Sequence, residues 1–586
     1  MSDEKIWEEE NDDELILDFA RSGSGRLRQM AEAGDAYAQD KLGDCYKRGW
    51  GVKRDYAAAV AWYEKSAAQG NAAAQRSLGY CYDYGHGVKT DKVKAVYWYE
   101  KSAAGGDVDA QRNLGNCYYF GTGVEIDYEK AAFWYGIAAE QGHPDAECSL
   151  GLCYNKGHGV PQDFGKAIEW YEKAVSHGDD MAMYNLAICY SRGEGVEQNE
   201  ETAVEYFLKA AEQGHAGAQY SLGVRCYYGT GRPCSHADAV HWFQKAAEQG
   251  HADAQVFLGR CYSEGEGVEQ DDRKAVEWYR KAAAQGDAEA QFSMGWCYYQ
   301  GTGVEQDDRK AVEWYRKAAE QGDADAQCNL AFHYDKGRGV EQDNVQAARW
   351  YRKSAEQGNA DAQYSLGLCC QKGRGVEKDD AQAVEWYRKA AEQGHADAGY
   401  CMGWSYEKGR GVEKDDTRAA EWYEKAAVLG DSMAQFSLAQ RYETGCGVEQ
   451  NGARAVEWYL AAAEQGHEEA QNMVGKCYFK GAVLPRDGVK AAEWFRKAAE
   501  QGYMEAQTNL GLCYAYGLGV EKDARKAVKW YTEAAEQGDA AAQFNLGCFC
   551  EAGFGMMRNE DTAVKWYKKA AAQGHERAQE ALDRLV

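Results

Sequence analysis

The chain is 586 residues long, carries a formal net charge of −27, and sets 66 Gly and 4 Pro beside 18 Trp and 41 Tyr. So acidic a surface excludes nucleic acid, which is held by clustered Lys and Arg that displace counterions, and disfavours anionic membranes on the same ground. The aromatic content supplies large apolar side chains to bury and separates the chain from disordered acidic tails.

The opening MSDEKIWEEENDDELILDF is acidic where a secretory signal would be basic and then apolar, and no later stretch approaches the roughly 20 apolar residues of a membrane span. A cytoplasmic protein without membrane insertion is expected, and export by a route that leaves no such signal stays open. Leu15, Ile16, Leu17 and Phe19, then Leu27 and Met30, are suited to shield the apolar edge of the unit that begins at residue 35, so residues 1–34 read as an acidic segment and N-terminal cap. An alternative for the leader is a self-inhibitory strap.

From Gly34 a glycine recurs every 36 residues, through Gly70, Gly106 and Gly142 to Gly574, without one insertion. Residues 35–574 are therefore fifteen consecutive 36-residue repeats forming one elongated domain, in which each unit packs on its neighbours. In the eighth repeat, Asp287 to Gly322, apolar residues recur at spacings of three and four in both halves, which predicts two helices. Ala290, Met294, Cys297 and Tyr298 form one face of the first, with Gly295 admitting a neighbouring backbone. Ala311, Val312, Trp314, Tyr315, Ala318 and Ala319 make the buried stripe of the second, with Glu313 and Lys317 paired on the outer face. Gly301 and Gly322 suit left-handed caps, and Asp308 or Asp323 suits an N-cap. Residues 575–586 restart the unit and stop after one helix, a capping half-repeat with Ala578, Leu582 and Leu585 facing inward.

Ala holds every equivalent of Ala290, Gly every equivalent of Gly301, and Trp every equivalent of Trp314 except Tyr206. The resulting pattern, AxAQxxLGxCYxxGxGVxxDxxKAVxWYxKAAxQG, resembles the Sel-1-like repeat, a relative of the tetratricopeptide repeat. The resemblance covers residues 35 to 586. It implies an all-α fold, a right-handed superhelical solenoid of antiparallel helix pairs, whose members serve as adaptors and scaffolds.

The 19 cysteines read as reduced core thiols. Ten occupy one slot on the first helix (Cys45, Cys81, Cys117, Cys153, Cys189, Cys261, Cys297, Cys369, Cys477 and Cys513), and copies about 10 Å apart lie beyond disulfide reach. Secreted cysteine-rich relatives carry a regular pair per repeat, whereas most repeats here hold one. The sixth repeat brings Cys226, Cys234, His236 and His241 together, four possible zinc ligands, but Cys226 falls at a buried slot and His241 outward, so a drifted turn is preferred. Ser405 and Lys408 form an SxxK pattern with the serine in the buried slot and without companion motifs. No cofactor, metal or catalytic set is expected.

A binding face is expected where residues escape the repeat pattern. At 100° per residue, the equivalents of Phe292, Trp296 and Tyr299 point away from the first helix's core stripe, and the resemblance implies that this helix lines the concave wall. There the middle repeats are apolar, with Tyr184, Tyr220, Phe292, Trp296, Phe332, Tyr364, Tyr400, Trp404 and Phe436, between polar ends at Asp40, Asp44, Arg76 and at Gln440, Asn472, Lys476, Thr508. A row of Ser and Asn, including Asn185 and Asn329, runs beside them and could bond an extended peptide, or bond its own backbone while the aromatics pack. The function expected is a monomeric, non-enzymatic adaptor holding a partner protein or peptide in this groove. The alternatives are an exported or defence-related regulator using the same face and, remotely, an enzyme.

Overall fold

The computed structural model describes residues 25–585; the leader, with Leu15, Ile16, Leu17 and Phe19, lies outside them. Those residues form 32 α-helices, two in each of the fifteen repeats plus one at either end. The chain divides into two compact units, one up to Ala290 and one from Gln291.

The ninth repeat shows how the sequence builds the pair. Asp323 accepts from the Ala326 amide at 2.7 Å and opens the helix Ala324–Lys336, which stops at Gly337 with φ 65°. Asp343 then caps Asn344–Glu356 through the Val345 and Gln346 amides. In the eighth repeat the corresponding cap is Asp307, which bonds the Arg309 and Lys310 amides, so the expectation for Asp308 moves by one residue. Asp308 is the first helical residue, where a carboxylate still favours the positive end of the helix.

Both glycines of the GxG turn have positive φ, and the second has a steric role as well. A Cβ on Gly339 would stand 2.2 Å from the Asp308 carbonyl oxygen of the preceding repeat, so the turn and that helix start fit only without a side chain. Where the thirteenth repeat puts Val483 in this place, the facing residue is Gly452, whose missing Cβ leaves room for the valine methyl. Gly295 admits a ring and not a backbone: its Cβ would lie 2.6 Å from the Tyr315 ring.

The core follows the predicted stripes with one correction. Ala311, Val312, Tyr315, Ala318 and Ala319 are buried, but Trp314 is half-exposed, and the Lys317 ammonium covers its ring at 3.9 Å. The tryptophan therefore sits at the edge of the layer, while the tyrosine next to it is buried in the cluster that Val340 and Trp350 pack against. Successive repeats are stitched by a buried glutamine that no local sequence signal marks. Gln327 donates to the Ala319 carbonyl at 3.1 Å and accepts from Gln357 at 2.8 Å, and the same two hydrogen bonds recur at Gln363, Gln435, Gln471, Gln507 and Gln543. Each glutamine ties the first helix of a repeat to the ends of two second helices, adding a second hydrogen bond to a carbonyl that already accepts from the turn glycine, as Ala319 does from Gly322.

At the ends, Leu27 and Ala31 of the helix Arg26–Glu32 are buried against the first repeat, and Ala578 and Leu582 of the helix Glu576–Leu585 against the last.

Candidate functional site

In the first unit, repeats 1 to 4 enclose a concave cleft of about 720 Å³, lined by first-helix residues such as Asp40, Asp44, Arg76, Tyr80, Arg112 and Asn116. These are the positions equivalent to Phe292 and Trp296, so the face selected from the sequence is the one that lines this cleft, although here its lining is polar. Arg76 pairs with Asp109, Arg112 with Asp145, and Lys92 with Asp83 at 2.6 Å, while Tyr84 and Phe120 stand exposed at the rim. Asp44 accepts from the Tyr63 hydroxyl at 2.7 Å. Burial, and then the charge of Asp44, push the Asp40 carboxyl up to about 6. Selection on runs of aromatic residues misses this cleft; the signal available in the sequence is an arginine followed 33 residues later by an aspartate, as in Arg76 and Asp109 and in Arg112 and Asp145.

The aromatic expectations divide into two groups. Residues at the Phe292 position do not point away from the core. Phe436 is buried, and Tyr184, Tyr220, Phe292, Tyr364 and Tyr400 are half-buried, each against the large ring that fills its own repeat, as in Phe292 on Tyr315 at 5.8 Å and Tyr400 on Tyr423 at 5.7 Å. Four of them also meet a histidine at the start of the next repeat, with centroids 4.5–4.7 Å apart: Tyr184 on His215, Tyr220 on His251, Tyr364 on His395 and Phe436 on His467. The physical reason is that a first helix packs against second helices on both sides and so buries more than a single stripe.

Residues at the Trp296 position are the outward ones. Trp296 is 45 % exposed, and Phe332 and Trp404 are half-exposed. Tyr299 lies between Trp296 and Phe332, with centroids 6.0 and 6.3 Å away, and Arg338 covers it. Arg410 covers Trp404 at 4.9 Å. The amide row is partly spent within the fold: Asn329 donates to its own helix at the Asp325 carbonyl, and Asn185 to the Cys148 sulfur at 3.7 Å.

The residues considered for chemistry do not assemble into a reactive group. The cysteines are free thiols, and burial pushes Cys45 and Cys81 up to about 11 and Cys153 and Cys261 up to about 12, which makes them poor nucleophiles. In the sixth repeat Cys226 is buried, the Cys234 thiol donates to the Tyr227 carbonyl, His236 stacks on Tyr227 and His241 lies against Trp242. Among the described residues no three His, Cys, Asp or Glu side chains converge as metal ligands. Ser405 is buried and donates to the Cys401 carbonyl at 2.8 Å, and Lys408 turns to Glu407 at 2.7 Å, so the two do not meet as nucleophile and base. Among the described residues no helix is long and apolar enough to cross a membrane.

Paired helices repeated in strict register define the class of tetratricopeptide-like repeat arrays. Within that class the chain belongs to the Sel1 repeat family, whose model matches fifteen times, from residues 36–71 to 540–575. The c5321 protein of uropathogenic Escherichia coli, described as a protective antigen displaying an SLR fold, is 37% identical, with 77% of this chain and 97% of that one aligned at a TM-score of 0.61. A Sel1 repeat protein from Oxalobacter formigenes is 35% identical over 42% of this chain and 96% of its own, with a TM-score of 0.38. No curated protein sequence matches. Repeats of this class generally mediate protein–protein interaction and are typically non-enzymatic.

Proposed function

We propose that the chain is a protein-interaction scaffold that holds a partner protein or peptide against the first helices of repeats 8 to 11. The observation that carries the reading is positional. The slots that line the cleft of repeats 1 to 4 are, in the second unit, occupied by Trp296, Phe332, Leu368 and Trp404. Exposed tryptophan and tyrosine supply most of the energy at protein interfaces, because they bury large area at small cost in rotamer freedom. The aromatics at the Phe292 position, half-buried against the rings of their own repeats, form the wall beside them.

The test is affinity capture from the native lysate with the full chain and with a variant carrying Trp296→Ser, Phe332→Ser, Leu368→Ser and Trp404→Ser. Circular dichroism and thermal unfolding confirm that the variant keeps its helices. Loss of a partner that the unaltered chain retains supports the reading; equal capture by both places binding elsewhere and overturns it. A second reading, an exported regulator acting through the same face, draws on the description of c5321 as a protective antigen. Fractionation of the native cells separates the two.

A further inference from the structure

We propose that the partner segment held by repeats 9 to 11 is an acidic peptide in extended form with a carboxylate at every third residue; this rests on the scaffold reading. Three consecutive repeats end the first helix and enter the turn with the same charge pattern: Lys336-Gly-Arg338, Lys372-Gly-Arg374 and Lys408-Gly-Arg410. No other repeat puts Lys or Arg at both positions; the eighth has Gln300 and Thr302, the twelfth Thr444 and Cys446. In a chain of net charge −27, six cations in register along one edge are a local concentration of positive charge.

The cations stand beside the exposed aromatics. Arg338 lies over the Tyr299 ring at 5.4 Å and donates to its hydroxyl at 3.3 Å, and Arg410 lies over Trp404. Stacking of this kind holds a guanidinium plane in place and leaves its edge donors for a carboxylate. Arg374 is held by the buried carboxylate of Asp335 at 3.3 Å, and its Nε is buried without a hydrogen-bond partner. Lys336, Lys372 and Lys408 are exposed. The carboxylates within ion-pair distance of the six are Asp308, Asp335 and Glu407, and the last is shared with Arg441. Three carboxylates against six cations leave this row of side chains only partly paired.

The spacing selects the shape of the ligand. Layers of packed helices repeat at about 10 Å. An extended strand advances about 3.3 Å per residue, and a polyproline II segment completes a turn every three residues at about 3.1 Å each. Either brings every third side chain opposite successive arginines and leaves the residues between for Trp296, Phe332 and Trp404. A helical ligand rises about 5.4 Å per turn and would meet the same row only at every second turn.

The test uses the full chain and a fluorescein-labelled peptide of four Glu-Pro-Leu triplets, with Gln-Pro-Leu and Lys-Pro-Leu peptides as controls, read by fluorescence anisotropy. The Glu peptide is expected to bind about tenfold or more tightly than the Gln peptide, and to weaken as salt rises from about 50 to 300 mM. Arg338→Gln, Arg374→Gln and Arg410→Gln together should abolish that preference. Lys336→Gln, Lys372→Gln and Lys408→Gln, all at exposed positions that cannot disturb the core, should reduce it. Equal binding of the Glu and Gln peptides, or single-stranded oligothymidylate of matched charge binding more tightly than the Glu peptide, would overturn the inference. Capture of a lysate partner that the aromatic variant loses and the arginine variant keeps would sink this inference and leave the scaffold reading standing.

Discussion

Arg441 stands in the slot where ten repeats carry a cysteine, and it turns an apolar contact between repeats into an ionic one. It is 7 % exposed, and its two terminal nitrogens each lie 2.8 Å from a carboxylate, Glu407 and Asp416 of the preceding repeat. Burial alone would raise the Glu407 pKa, but hydrogen bonds from Lys408, Tyr423 and Arg441 outweigh it, and the bond from Arg441 lowers Asp416. Depressed carboxylates stabilise the fold above their unfolded value, about 4, and that contribution is lost as pH falls through the folded values. Arg441→Met removes the cation from two carboxylates that keep some solvent contact. It should cost about 2–3 kcal/mol in urea unfolding at pH 7, below the range for a fully buried pair. Asp40 gives the opposite sign. Its carboxyl is 2 % exposed, has an oxygen without a partner, and is raised to about 6, so ionisation at neutral pH weakens the first repeat. The penalty is relieved as pH falls from about 6 toward the unfolded value near 4. Asp40→Asn should raise stability at pH 7 by on the order of 1–3 kcal/mol and flatten the pH profile between those limits.

At the scale of the element, three of the histidines that open repeats, His215, His251 and His467, act as caps. His215 accepts from the Ala218 amide through Nδ1 at 3.0 Å while its ring stacks on Tyr184, and His251 and His467 do the same against Tyr220 and Phe436. An imidazolium has no acceptor nitrogen, and burial lowers all three pKa values. Their contribution is therefore whole above the unfolded value of about 6.5 and declines as pH falls below it toward the folded values. His215→Asn, His251→Asn and His467→Asn together keep a capping acceptor, as Asn71 and Asn359 do naturally, and should remove that loss. Thermal unfolding at pH 7.5 and 5.5 decides, since an unchanged pH dependence in the triple variant would show that these caps do not carry it. The helices themselves were legible because spacings of three and four and the glycine punctuation are local signals. The caps fell within a residue of their places for the same reason. What escaped was every relation between repeats: Tyr184 meets His215 of the next repeat, the glutamine bonds span 30 residues, and a helical-wheel angle assumes a single buried stripe where each first helix has neighbours on both sides.

At the scale of the whole molecule, a repeat array has no central core, so stability is a sum of each repeat's own energy and the interfaces with its neighbours, and the ends are where an interface is missing. Leu27 and Ala31 are buried at one end, while at the other Ala578 and Leu582 are buried and Arg584 pairs with Glu551 at 2.5 Å. The helix Glu576–Leu585 joins the cluster of Cys550, Tyr567 and Ala570, whose outer side it keeps from solvent. Removing residues 575–586 should cost the last repeat about 2–3 kcal/mol, roughly one buried leucine and its neighbours. Because coupling is to nearest neighbours, the loss should be local. Hydrogen exchange should speed up in Ala540–Ala552 and Glu560–Ala571 and remain unchanged in Asn344–Glu356, which belongs to the ninth repeat and shares no interface with the cap. Leu582→Ala, which keeps the chain length and the Arg584 pair, should give a smaller change in the same two helices. Uniform acceleration across the second unit would instead show that its repeats open together, with cooperativity that nearest-neighbour packing alone does not produce.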